Sequence, residues 1–525
     1  MTTEARHPAD RAEPGRLRGY RGCMSGRMLD VELVEPDGVG PGAAPPSAAP
    51  PGHPWLRRNA RLLVAGGLSL AVVLVGTQAV VDARERARLA ELAAIPGVLA
   101  PVDDSLEVRW RGDLEVSQVL QGGTVVDGTL VGVAETEPGS LELWGLDAGT
   151  GERRWATSAE LATPLMTPDG GAPEAWTTCA PLDGLVACVA QQSGTAGVSP
   201  DMTVWVLDPA DGRLLRTTRL PGEAGLTFSR GDVVSAVPVL LDGTTPAAAG
   251  AGTVRWAVTA TNGRTGDVAW AYTTPPVDVV GREDGTTTYD SSTRSAALDA
   301  RDDRVLLIVD HHAWELGTDG TLHRSVLLDD VSWVELTRAG GLVQSTYDGR
   351  GGRSALLRDD GTWVRTASVP LWLPVDDGSA AGLVFFAQQS EGGISRIEAR
   401  DGRTGARVWQ VSVRAMTALL LDDRLFVGTA DGLQALDATT GGTLWTVDLD
   451  RSVDEMTTDG RSLVVRGLGL SAEGYAPSDG RALWRTDLLA KVSASLAWSG
   501  EQLVVSSRLP RLYVQLPDGS VAVLG

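Results

Sequence analysis

Cysteines, histidines and clustered carboxylates are the residues of this chain with chemistry to offer, and they are few or scattered. There are three cysteines, Cys23, Cys179 and Cys188, and five histidines, His7, His53, His311, His312 and His323. In "VDHHAW" (309–314) two imidazoles are adjacent, but neighbouring strand residues point to opposite faces and do not readily share one ion. Cys179 and Cys188 bracket "APLDGLVA". If Asp183-Gly184 is a two-residue hairpin turn, Leu182 pairs with Leu185, and Cys179 then falls opposite Cys188 at a position close enough for a disulfide. Two free buried thiols are the alternative. No GxSxG or HExxH is present, and the glycine-rich pieces such as "QGGTVVDG" lack the strand-to-helix context of a phosphate loop. No nucleophile with its base stands out.

Those residues need a scaffold, and the scaffold is written as a repeat. LDAGTGERRW (146–155), ARDGRTGARVW (399–409) and LDATTGGTLW (436–445) share an Asp four residues before a Gly and a Trp four after it. These are Asp147, Gly151 and Trp155; Asp401, Gly405 and Trp409; Asp437, Gly441 and Trp445. Gly266 with Trp270 and Gly480 with Trp484 keep the second half of the pattern. Asp208 and Gly212 keep the first half, with Arg216 where the others have Trp. Weaker turn copies surround Gly320, Gly361 and Gly519. The roles differ: an Asp side chain accepts from turn N–H groups, a Gly enters the left-handed region at no steric cost, and an outer-strand Trp can bury on the order of 200 Å² against a neighbouring unit.

A period near 45 residues with strand patterning between the signals suits four-stranded propeller blades. This predicts an all-β fold, a β-propeller of four-stranded antiparallel blades, eight of them with seven as the alternative, preceded by one transmembrane helix. The 63 glycines and 28 prolines agree with a turn-rich chain.

The Asp, Gly and Trp order resembles the tryptophan-docking motif of the quinoprotein-like, or PQQ-repeat, β-propellers, and the resemblance covers about residues 105–525. In such propellers an N-terminal strand commonly closes the last blade, and LEVRWRG (106–112) resembles that strand. The resemblance implies two functional classes. Dehydrogenase members hold pyrroloquinoline quinone with a metal ion, typically Ca²⁺, over a Trp platform with an Asp base and often an adjacent-cysteine disulfide. No Cys-Cys pair exists here, and no residue of this chain can be matched to that base or metal set, so cofactor-binding residues stay unassigned. Non-enzymatic members include an outer-membrane assembly scaffold. A non-catalytic binding or scaffold module of the cell envelope without cofactor is therefore expected, with a PQQ and Ca²⁺ dehydrogenase or a ligand sensor as alternatives.

The remaining expectations concern placement. Residues 1–56, rich in Pro, Gly and Ala from 35 to 54, read as a disordered cytoplasmic tail. Residues 62–81 form an uncharged run of spanning length, giving a signal anchor over 57–83, and 84–104 read as a stalk or linker to the propeller at 105–525. A disulfide would place the propeller outside the cell membrane, with the N-terminus cytoplasmic. Net charge is −21, and nine Arg against seven acids in residues 1–61 leave −23 for the rest. A surface this acidic repels phosphate backbones, so nucleic acid is excluded as a partner. A protein or envelope partner is expected.

Overall fold

Each repeat folds as a small antiparallel sheet, because tight turns return the chain before a strand can grow long. The computed structural model describes residues 73, 75–137, 140–161, 175–192, 201–240, 252–279, 296–301, 303–329, 333–348, 351–390, 393–467, 471–492, 503–505, 510–516 and 518–525. The chain divides into two units, 1–79 and 80–525. In the first, the described residues (73 and 75–79) are helical.

The second unit is all-β apart from short helices. Blade 1 shows the plan: strands Thr124–Val126, Thr129–Glu137, Ser140–Asp147 and Arg153–Ala159 pair in that order, here named a to d. Blade 2 (175–220), blade 3 (225–273), blade 4 (297–327), blade 5 (333–366) and blade 8 (456–487) repeat it. Blades 6 and 7 share one seven-stranded sheet, because the 15-residue strand Arg407–Leu421 serves as strand d of blade 6 and strand a of blade 7. Blade 9 pairs Leu503–Val505, Leu512–Gln515 and Val521–Leu524 with Val108–Gly112 from the start of the domain. A helix, Leu114–Gly122, capped by the Asp113 side chain, joins that closing strand to blade 1.

A blade is apolar on both faces, so each face must be covered by a neighbour. Buried side chains cluster accordingly across consecutive blades. Trp110, Tyr513, Val521 and Val523 of blade 9 pack with Leu130, Ala134, Trp144 and Leu146 of blade 1, which closes the series and leaves no bare sheet edge at that junction.

Two parts of the predicted fold class are corrected. Among the described residues no helix is long and apolar enough to cross a membrane. The helical segment 75–92 carries Asp82, Arg84, Glu85, Arg86, Arg88 and Glu91, charges incompatible with a hydrocarbon layer, while 57–72 and 74 of the expected anchor lie outside the described residues, as do 1–56. The described residues form eight sheets, and counting the seven-stranded one as two blades that share Arg407–Leu421 gives nine blades, in place of eight or seven, with one of the nine turn glycines in each.

The expected stalk, 84–104, packs on the blades. Leu92 and Val98 join the core between blades 7 and 8, and Leu99 and Leu106 that between blades 8 and 9. The Leu99 amide donates to the Thr458 carbonyl at 2.8 Å.

The Cys179–Cys188 disulfide forms across the first hairpin of blade 2, with the two residues paired in register and their Cα atoms 4.0 Å apart. Asp183 (φ 47°) and Gly184 (φ 73°) make the two-residue turn. Both cysteines are buried. Thiol titration of the denatured, unreduced chain should find Cys23 alone, and replacing Cys179 and Cys188 together by Ser should destabilise the domain by about 2–3 kcal/mol in chemical denaturation.

Candidate interaction surfaces

The a–b and c–d turns lie at one end of every complete blade, and the b–c and d–a connections at the other. The turn end is closed by local chemistry. The Asp147 carboxylate accepts from the Gly149 and Thr150 amides at 2.8 and 2.9 Å. Asp401 accepts from Arg403 and Thr404, Asp437 from Thr439 and Thr440, and Asp208 from Ala210. Asn262 holds the corresponding turn of blade 3 through Arg264 and Thr265. The turn hydroxyls of Thr404 and Thr439 hold the carboxyls of Asp401 and Asp437 below the usual carboxylate range, and Arg154 does the same for Asp147.

Most of the turn glycines, though not Gly361, lie against the outer strand of the previous blade. A Cβ on Gly151 would lie 2.6 Å from the Trp110 ring, and one on Gly212 would lie 2.3 Å from Trp155. Trp270 covers Gly320, Trp409 covers Gly441 and Trp445 covers Gly480 in the same way, while Arg216 covers Gly266. The indole N–H then donates to the residue after the turn Asp or its equivalent: Trp155 to Pro209 at 2.9 Å, Trp409 to Ala438 at 2.8 Å and Trp445 to Pro477 at 3.1 Å. Trp484 packs on Gly474 of its own blade and joins the core shared with blade 9.

One signal was not used in reading the sequence. The strand-c residue opposite each of these tryptophans is small, Gly145, Ala260, Ala399, Ala435 or Gly474. It stands two residues before the turn Asp or its equivalent, and its size lets the indole lie flat.

The buried acids are equally committed. Glu315 is held by Arg304 at 3.2 Å and Arg324 at 2.5 Å. Glu398 is held by Arg400 at 3.0 Å and accepts from the Thr366 hydroxyl of blade 5. Glu473 is held by Arg451 at 2.5 Å and accepts from the Tyr475 hydroxyl, whose pKa is pushed up to about 12 by burial and the Glu473 carboxylate. A Ca²⁺ ion takes six to eight oxygens, largely carboxylate, whereas these acids stand in three different blades, each matched by guanidinium. The described residues therefore do not fit the quinone-and-metal site of the dehydrogenases. The two imidazoles of "VDHHAW" diverge, since His311 sits in a hairpin turn against the Asp329 carbonyl and His312 stacks on Trp314.

The connection end differs. It carries Trp176 (59% exposed), Trp333 (61%) and Tyr347 (52%) with Leu327 and Met416. These lie at the starts of a strands or the ends of b and d strands. The exposed apolar residues nearer the turn end are the aliphatic Val268, Leu322, Val408, Leu444 and Leu483, one per blade, and Trp372 (76% exposed) on the a–b connection of blade 6.

Residues 390–524 match the family described as PQQ_2, outer membrane protein assembly factor BamB. That segment runs from the end of the second strand of blade 6 through blade 9, and the same turn and tryptophan unit recurs in blades 1 and 3. Similar solved structures include BamB from Moraxella catarrhalis (15% identity, 77% of this chain and 92% of that chain, TM-score 0.35). The computationally designed Ika8 protein (14%, 82% and 99%, 0.32) and Sqt1 from Saccharomyces cerevisiae (11%, 82% and 98%, 0.36) are others. No curated protein matches the chain.

A carboxylate with a lowered folded pKa stabilises the fold above its unfolded value, and that contribution disappears as pH falls through the folded value. Asp437→Asn keeps the turn acceptor, as Asn262 does, without titrating. Its thermal midpoint should therefore fall less than that of the parent between about pH 4 and pH 2.

Proposed function

We propose that this chain is a non-catalytic binding scaffold working outside the cytoplasm, with a protein partner held at the connection end of the propeller. The observation that carries the reading is that Trp176 of blade 2 and Trp333 and Tyr347 of blade 5 all stand exposed at that end. Exposed aromatic side chains are frequent anchors of protein interfaces. The family matched by blades 6 to 9 is described as an assembly factor, which supports a scaffold role. The disulfide supports an oxidising compartment. The acidic surface favours a partner with basic groups at its rim. No cofactor is needed for such a role.

Photo-crosslinkers placed at positions adjoining Trp176 and Trp333 should capture a discrete protein in the native envelope, while crosslinkers adjoining Val268 and Leu444 should not. Replacing Trp176 and Trp333 by Ser should weaken that capture roughly tenfold with unchanged thermal unfolding. Equal capture from both ends, or none from the connection end, would defeat the reading.

A further inference from the structure

Blade 1 contains a complete seat for an arginine. The Trp144 indole N–H donates to the Glu142 carboxylate at 2.8 Å, and the Arg153 guanidinium lies over the Trp144 ring, 4.7 Å from its centre. A cation is drawn to the electron-rich face of an indole, and an anion at the ring's edge adds to the attraction.

Blade 5 repeats the two fixed parts of that seat. The Trp333 indole N–H donates to Glu335 at 3.4 Å, again two residues away along one strand. Among the described residues no cation lies over Trp333, and Glu335 has no ion-pair partner, in contrast to Glu315, Glu398 and Glu473. Register adds a third group. Trp333 pairs with Ser345, so Tyr347, two residues further along strand b, lies diagonally across from Trp333 on the same face. Diagonal neighbours of this kind are about 7–8 Å apart, within reach of aromatic side chains. Between them the small, buried Ser345 is hydrogen-bonded to Ser354 at 2.8 Å, which keeps the ground between the two exposed rings low.

Charge in this part of the ring favours a cation. Burial raises the Glu335 carboxyl above its usual range, opposed by the Trp333 bond and by Arg301 and assisted by Asp299, both on strand a of blade 4. Burial, and then the Glu335 charge, raise the Tyr347 hydroxyl in turn. Two acids against one arginine leave the region negative. A carboxylate whose folded pKa is raised costs stability as pH rises through the carboxylate range, and a cation arriving beside it offsets that cost.

We propose that Trp333, Glu335 and Tyr347 form a seat for an arginine side chain carried by a protein partner, its guanidinium lying on the indole and paired with the carboxylate. Arginine suits the site better than lysine, because its planar fork stacks on a ring and meets a carboxylate with two N–H groups. The inference rests on the reading of the connection end as a protein-binding surface and names the chemistry of its partner.

The test uses the full chain labelled with 5-fluorotryptophan and followed by ¹⁹F NMR, with the Trp333 resonance assigned through Trp333→Phe. The probe is the peptide acetyl-Gly-Arg-Gly-amide, compared with the same peptide carrying citrulline, which keeps the shape of the side chain without its charge. A saturable shift of the Trp333 resonance is expected with arginine and none with citrulline, while the Trp176 resonance stays in place, which separates the seat from general attraction to an acidic surface. Glu335→Gln should weaken binding about tenfold and raise the thermal midpoint at neutral pH. Tyr347→Leu should weaken binding about threefold. No saturable shift at Trp333, an equal shift with citrulline, or a shift that neither variant weakens would overturn the proposal. Capture of a protein by crosslinkers beside Trp176 and Trp333 without that shift would overturn the arginine seat alone and leave the scaffold reading standing.

Discussion

An indole wedged between one blade's outer strand and the next blade's turn glycine is the contact on which this architecture depends. Four-stranded sheets are not stable alone, because both faces are apolar and both edges are open. Each must be fixed against two neighbours at a set spacing, and a rigid bicyclic side chain with one donor does this: it buries a large area, and its N–H finds a defined carbonyl. The turn Asp, the left-handed Gly and the small residue across from the Trp exist to make room for it. Ring closure through Val108–Gly112 follows the same logic, since Trp110 of that strand docks on Gly151 of blade 1.

The same economy extends to the charged groups. Buried Glu315, Glu398 and Glu473 are balanced by arginines, and several of these contacts tie one blade to the next, as when Arg304 reaches both Glu315 and the Gly340 carbonyl or Thr366 reaches Glu398. Removing one partner of such a pair leaves a charge stranded in low dielectric. These buried acids are thus committed to holding the blades, and the proposed function rests on exposed aromatic residues at the connection end.

Much of the fold was legible because it is encoded locally. A turn needs its Asp and Gly at fixed spacing, and the Cys179–Cys188 pairing follows from a hairpin register counted outward from Asp183-Gly184. Blade number was not local. The strand Arg407–Leu421 passes from blade 6 to blade 7 with no loop to mark the boundary. The apolar run at 62–81 has the composition of a membrane span, yet the helical segment that follows it is heavily charged and continues into residues packed on blades 7 to 9. The interaction surfaces were invisible for a different reason. Trp176, Trp333 and Tyr347 have no periodic relation in sequence and come to one end only through strand direction.

The most direct test of the central claim, that this propeller commits its reactive groups to structure and works by binding, is a titration of the purified chain with pyrroloquinoline quinone and Ca²⁺, following quinone absorbance and the thermal unfolding midpoint together. A ligand that prefers the folded state must raise that midpoint by mass action. The account predicts no saturable spectral change and no shift. Saturable binding with a raised midpoint would contradict it and return the chain to the quinone-dependent enzymes.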